Sequence, residues 1–357
     1  MKISSKIVLA TVLLSGFGIL TTGTLVGWKS SLIASTALEK RAFDRLIAIR
    51  EVQKNQIERY FSTIEKEVIT LSNDRMVMDM MEELPQSFSE YAKQSALKEN
   101  GELKGYYTQM FDEEYKLQNP SSSSSSTSKL DQLSDNTKSI QHAYISGNTN
   151  PLGSKNALVS ADDGTRYSEL HKKYHPHLNQ YLTSFGFYDI FLVEPETGVV
   201  VYSVFKELDF ATSLLTGPYK DTGLAEAFRL ANASSQKNDT FLVDFKPYFP
   251  SYEAAAAFIS SPVYSSEGKK LGILIFQMPI DEINSLMTFE SEWEKVGMGS
   301  SGETYLVGED HLLRSQSRFL LDDKEGYLEA LTAVGIEAKI VDKIAASGSA
   351  IGYQKVM

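Results

Sequence analysis

The stretch from Gly186 to Phe210, "GFYDIFLVEPETGVVVYSVFKELDF", decides the fold. Tyr188 to Val193 and Val199 to Val204 are apolar, β-branched and aromatic runs, and "EPETG" between them carries the proline and glycine of a turn. The pattern predicts a β-hairpin with an acidic exit. Alternation places Tyr188, Ile190 and Leu192 on one face and Asp189, Phe191 and Val193 on the other.

Working outward, "HKKYH" and "HLNQYLTSF" read as helix on either side of Pro176, leading into the hairpin. The loop "LLTGPYKD" and a helix-prone segment, Thr222 to Ala233, follow it. Three more strands are expected at Thr240 to Phe245, Ala255 to Tyr264 and Lys270 to Met278, the last two joined by "SSEGKK". Strand pair, helix and three further strands suit an α+β module: one curved antiparallel sheet with helices on one face. After "PIDEINSLMTFESEWEKVG", which reads as helix, "ETYLVGEDHLLRSQ" repeats the hairpin grammar with strands at Glu303 to Val307 and Leu312 to Ser315. Two such modules in tandem are expected, the second incomplete at Met357, so the chain reads as the N-terminal part of a longer protein.

The other end of the chain sets the compartment. After Lys2 and Lys6, the 22 residues from Ile7 to Trp28 carry no charge. At about 1.5 Å per residue they span roughly 33 Å, enough for a hydrocarbon core of about 30 Å. Trp28 followed by Lys29 reads as an interfacial stop, and the leading lysines favour a cytoplasmic N-terminus of residues 1–6. An uncleaved anchor in the inner membrane is the reading; a cleaved signal peptide, with its shorter apolar region, is the alternative. The bulk of the chain then lies in the periplasm or outside the cell. From Ala37 to about Met81 there is neither Gly nor Pro, and Ile57, Phe61, Ile64, Val68 and Leu71 form one helical stripe. This stalk, within a helical region 37–115, packs either on its own chain or on a second copy as a homodimer, with Pro85 marking its expected end. Residues 116–165 are expected as a Ser-rich loop region around "NPSSSSSSTS", which has too little apolar surface to offset its ordering entropy. Residues 166–290 form the first sheet module and 291–357 the start of the second.

Composition excludes several functions. A net charge of −11 argues against a nucleic-acid partner. The absence of cysteine excludes disulfides, thiol catalysis and Cys-bound zinc. His171 and His175 are spaced for zinc on a helix, but Pro176 and the lack of an acidic ligand or HExxH glutamate leave a solvated helix end as the reading. No P-loop, dinucleotide fingerprint or GxSxG elbow occurs, and neither an enzymatic role nor a cofactor is expected.

Three segments together resemble the double Cache sensor region of bacterial transmembrane receptors, most like methyl-accepting chemotaxis proteins. They are "YDIFLVEPETGVVVYSVFKELDFATSLLTGPYKDTGLA", "SSPVYSSEGKKLGILIFQMPIDEIN" and "GMGSSGETYLVGEDHLLRSQSRF". The resemblance implies two PAS-like modules on a membrane-rooted helix, with a small-molecule ligand in the distal one and a signal carried toward the membrane. Similar sensors precede histidine kinases and nucleotide or diguanylate cyclases, so a receptor enzyme with its catalytic part beyond this chain is the alternative output. The family's amino-acid pattern needs a Trp-Tyr pair, and the tryptophans here are Trp28 and Trp293. The ligand class therefore stays open.

A pocket between sheet and covering helices would be lined by Tyr202, Phe205 and Asp209 from the hairpin exit and Tyr219 from the cover loop. Asp244, Tyr248, Phe258, Ser260 and Gln277 would join them from later strands. Tyr202 and Phe258 serve equally well as core residues. Asp244, inside "FLVDFKPY", needs a partner if buried: a ligand ammonium, Lys246 or solvent would each suffice.

Overall fold

The computed structural model describes residues 3–96 and 101–356. The chain divides into two units, Met1–Glu58 and Arg59–Met357. Helix α1, Ile3–Ser72, runs through the boundary. Near its N-terminus it is long and apolar enough to cross a membrane, with Val8, Val12, Leu13, Phe17 and Leu20 exposed along it. The hydroxyls of Thr11, Thr21, Thr22 and Thr24 donate to carbonyls four residues back at 2.7–2.9 Å. The hydroxyls of these side chains are then paired within the helix, as an apolar surrounding would require.

In the second unit, Ile64, Val68 and Leu71 of the expected stripe are buried. The helix ends at Ser72, earlier than expected, and Asp74 caps a new helix, α2 (Arg75–Ser89), by accepting from the Met76 amide at 2.7 Å. Pro85 lies inside α2 and does not end it. Helices α3 (Tyr91–Gln94), α4 (Glu102–Gly105) and α5 (Asp112–Gln118) follow, with a π-helical turn at Tyr106–Phe111 between the last two. The serine tract is exposed from Ser121 to Ser123 as expected. The remainder of 116–165 corrects the loop reading, for it contains α6 (Ser126–Asp131), α7 (Asp135–Gln141) and a second π turn, His142–Ser146. Leu130, Leu133, Ile140 and Ile145 supply the burial that the serines lack. Helix α8 (Arg166–Phe185) is continuous through Pro176. The proline stands on the exposed side, where water can serve the carbonyl it leaves unbonded.

The sheet is antiparallel and five-stranded, ordered β2-β1-β5-β4-β3. Its strands are β1 (Asp189–Val193), β2 (Val200–Ser203), β3 (Phe241–Tyr248), β4 (Ala254–Tyr264) and β5 (Lys270–Gln277), each within a few residues of expectation. Helices cover both faces, not one. Helix α9 (Gly223–Ala233), capped by Thr222, packs on one face, and α2 and α8 contact strands from the other. Burial from both sides explains why β1 and β2 are apolar without a polar alternate. Two glycines permit close packing. A Cβ on Gly272 would overlap the Met81 side chain of α2, and one on Gly223 would stand 3.3 Å from the Phe258 ring beneath α9.

Register sorts the side chains. Asp189 and Phe258 both pair with Gln277, and Val243 pairs with Phe258, so these four share the α9 face. Tyr202 pairs with Leu192 and belongs to the opposite face. Helix α10 (Ile280–Met287) is shorter than the sequence pattern implied, because Phe289, Glu290 and Ser291 have φ of 54–66°. Beyond it, the repeated hairpin closes through a Val307–Leu313 bridge, and Leu312 bridges Lys355. Helices α11 (Arg318–Asp322), α12 (Lys324–Ala333) and α13 (Ala338–Ser347) pack with it around a separate apolar cluster of Leu313, Leu320, Leu331, Ile344 and Ala350.

Candidate functional site

The hairpin exit, Lys206 to Ala211, is locally strained. Lys206 and Ala211 both adopt left-handed φ, 59° and 67°, a conformation L-residues avoid. Between them lie Glu207 and Asp209, in the turn that follows β2. Gln141 of α7 fixes this turn by donating to the carbonyls of Leu208 and Phe210 at 3.0 and 2.6 Å, and Tyr107 holds the Gln141 side-chain oxygen at 2.8 Å. A second strained pair, Tyr252 and Glu253 at 56° and 59°, forms the facing β3–β4 corner. Strain that the surroundings hold in place is characteristic of binding and catalytic sites.

The two turns meet through their side chains. Tyr248 donates to Oδ2 of Asp209. Ser251 donates to Oε2 of Glu207 at 2.8 Å, and Tyr188 donates to the other Glu207 oxygen at 3.0 Å. The Gln277 amide nitrogen reaches Ser251 at 3.4 Å. Among the described residues, three buried polar atoms in or beside this network have no partner: Asp209 Oδ1, the Tyr219 hydroxyl and Gln277 Oε1. Their residues are 0%, 1% and 3% exposed, so water does not replace the missing bonds freely. Burial pushes the Asp209 carboxyl up to about 7. Burial and the neighbouring Asp209 raise Glu207 well above the usual carboxylate range, while burial and the charge of Asp209 raise Tyr248.

A cleft of about 350 Å³ opens beside the network. Tyr106, Phe111, Tyr188, Phe205, Tyr252 and Glu207 are among its walls, so Glu207 belongs to both the cleft and the inner cluster. The π-helical turn supplies Tyr106 and Phe111, a wider winding that recurs at functional sites. Phe205 stacks on Tyr188, ring centroids 5.4 Å apart.

Of the residues expected from sequence, the structure joins Asp209, Tyr248 and Gln277 in one network. Tyr219 lies beside it, Phe258 packs on Tyr248 at 5.1 Å between centroids, and Phe205 lines the cleft. Three lie elsewhere. Tyr202 faces α8, its hydroxyl 2.7 Å from Nδ1 of His175, because its register with Leu192 turns it away. Ser260 donates to the Ala227 carbonyl at 2.8 Å and ties the sheet to α9. Asp244 sits at a break in the β3–β4 register, is largely exposed, and pairs with Arg314 through two bonds of 2.8 Å. Lys246, one of the three partners that would have sufficed, bonds Glu226 instead. The histidines also differ from the solvated reading. His171 and His175 are buried and stacked 4.4 Å apart, and burial holds His175 at about 3. Among the described residues no group of three or more His, Cys, Asp or Glu side chains could hold a metal.

Glu207, Ser251, Tyr188 and the π-turn aromatics escaped the sequence reading. The acidic pair in "KELDF" was visible, but its convergence with the β3–β4 corner depends on the register of strands far apart in sequence. No protein-family model matches this chain, and no curated protein matches it either. Among solved structures it is similar to the sensor domain of the V. cholerae histidine kinase DctB, at 14% identity and a TM-score of 0.26. That match takes in 52% of this chain and 58% of that domain.

Proposed function

We propose that the chain is the extracytoplasmic ligand-sensing region of a bacterial transmembrane signal receptor, most like a methyl-accepting chemotaxis protein with a double Cache sensor. The observation that carries this reading is the unfinished network behind the cleft: Asp209 Oδ1, the Tyr219 hydroxyl and Gln277 Oε1, buried without partners. A fold that leaves three such groups open forgoes stability, which a ligand's polar groups would restore.

In this reading α1 anchors the chain in the inner membrane with its N-terminus in the cytoplasm, and its stalk region pairs with a second copy. The residues carry no catalytic role; the site binds, and ligand shifts a conformational balance by its differential affinity for two states. The β3–β4 corner supports a route for that shift. Tyr248 and Ser251 contact the acidic network, while Lys343 of α13 donates to the Tyr252 carbonyl at 3.1 Å and Tyr353 donates to that of Glu253.

The test is a thermal-shift screen of the detergent-solubilised chain against amines, organic acids, purines and sugars. Saturable stabilisation that Asp209→Asn and Tyr219→Phe weaken supports the reading. Stabilisation indifferent to both substitutions places any ligand elsewhere and contradicts it.

A further inference from the structure

The network is unbalanced in charge as well as in hydrogen bonds. Asp189 raises both Glu207 and Asp209, and Asp209 raises Glu207; among the described residues none of the three forms an ion pair with Lys or Arg, although the charge of the buried Lys206 lowers Asp189. The nearby cations are committed. Lys206 donates to the carbonyls of Ser203 and Val204, both at 3.0 Å, and Lys155 on the cleft wall donates to the Asn148 carbonyl at 2.6 Å. Lys129 lies over the Tyr219 and Phe249 rings, 5.2 and 4.6 Å from their centroids.

What remains open is mostly acceptor: a carboxylate oxygen of Asp209 and the amide oxygen of Gln277, with the Tyr219 hydroxyl able to act in either sense. Behind the cleft wall, whose Lys155 and Lys206 are already bonded to backbone carbonyls, an anionic ligand would meet the carboxyl groups of Glu207 and Asp209. A ligand bringing N–H donors and a positive charge would satisfy both deficits at once. The aromatic side chains of Tyr106, Tyr188, Phe205 and Tyr252 offer faces for an alkyl stem and for cation–π contact. We propose that the ligand recognised here is an organic ammonium, a primary or secondary amine whose N–H groups bind Asp209 and Gln277 beside Glu207. This rests on the reading of the cluster as the sensor site.

The amine must meet an ionised carboxylate, so affinity depends on pH. Asp209 is held at about 7 and faces Glu207, Asp189, Tyr107, Tyr219 and Tyr248, while Lys206 faces Asp189. Affinity for an amine that stays charged throughout should therefore rise from pH 6 to pH 8.

The experiment is calorimetric titration of the full chain in detergent with putrescine, agmatine and phenethylamine, with choline as a cation lacking N–H donors and succinate and glucose as anionic and neutral probes. The expected result is that at least one N–H amine binds with an affinity at least about tenfold above that of choline and rises with pH. Asp209→Asn and Glu207→Gln should each weaken it about tenfold or more. Tyr219→Phe removes a hydroxyl that has no internal bond, so it should fold normally and still weaken binding about threefold. Succinate or glucose binding in a manner lost in Asp209→Asn would overturn the ammonium class and leave the sensor site standing. No probe binding in an Asp209-dependent manner would overturn the ammonium class too, and would count against the sensor reading with it.

Discussion

Asp189 and Asp209 stand at the two ends of one strand hairpin, both almost wholly buried, and their surroundings differ sharply. Around Asp189 the chain has closed the shell. Oδ1 accepts from the amides of Ile190, Val204 and Phe205 at 2.6–3.0 Å, and Oδ2 accepts from the Ser203 hydroxyl at 2.7 Å. Around Asp209, Oδ2 has Tyr248, while Oδ1 has no hydrogen-bond partner among the described residues, and the nearby amides of Phe210 and Asp209 itself lower the carboxyl only in part. The first carboxylate pins the hairpin exit to β1. The second stands beside an aromatic cleft, in a turn bracketed by left-handed residues. On the proposed reading, burial alone does not mark a functional acid; an incomplete shell behind Glu207, a wall of the cleft, does.

The sharpest way to break this comparison is to neutralise each acid in turn. Asp189→Ala should cost about 3 kcal/mol or more in urea unfolding, because it strands three buried amides. Asp209→Asn should cost much less and at neutral pH can stabilise the ligand-free protein. Equal losses at the two sites would end the distinction.

The pH dependence follows from the same difference. Burial raises Asp209 from an unfolded value near 4 to about 7, and Asp189 to about 6. The folded state then binds more protons than the unfolded one between those values, so stability is greatest below the unfolded value and declines as pH rises toward 7. For Asp209 the decline amounts to roughly 2–4 kcal/mol. Chemical denaturation of ligand-free protein at pH 4.5 and 7.5 should show it, and Asp209→Asn should remove its own share, leaving the decline due to Asp189 and Glu207. A stability that rises over this range would contradict the assignment.

Two substitutions sharpen the boundary of the site. Arg314→Ala removes the partner of both Asp244 and Asp310 and should lower stability by about 1–2 kcal/mol, since the arginine is buried and its acids are half exposed. Tyr202→Phe removes the bond to His175 and should cost about 1 kcal/mol. Neither should change ligand affinity, measured by titration with whichever compound stabilises the wild type; a tenfold loss in either would extend the site across the sheet or to its edge.

The legible and illegible parts of the molecule divide along the range of the interactions. The five strand runs between Asp189 and Gln277, the helix after Thr222 and the apolar stretch before Trp28 are local patterns, and each stands close to where the sequence places it, whereas the strands expected at Glu303 to Val307 and Leu312 to Ser315 are reduced to isolated bridges. Pro85 and Pro176 misled because a proline that is half-buried, as Pro85 is, or exposed, as Pro176 is, leaves a carbonyl within reach of solvent, so burial of the opposite helix face decides the matter. The helices after the serine tract were hidden by its composition, although Leu130, Leu133 and Ile140 were there to anchor them. Within the site, Asp209, Tyr219, Tyr248, Phe258 and Gln277 were legible as polar and aromatic residues near strand ends. Tyr202 and Asp244 were not correctly placed. The first depends on pairing with Leu192 and the second on a register shift between Val243 and Lys246, neither of which leaves a local mark.

The central claim is that Asp209 is left open for a ligand. The most direct measurement compares calorimetric binding of the best stabilising compound to the wild type, Asp209→Asn and Asp189→Glu, each confirmed as folded by its cooperative melting. The account predicts affinity reduced at least about tenfold by Asp209→Asn and retained by Asp189→Glu. Unchanged affinity in Asp209→Asn would contradict it.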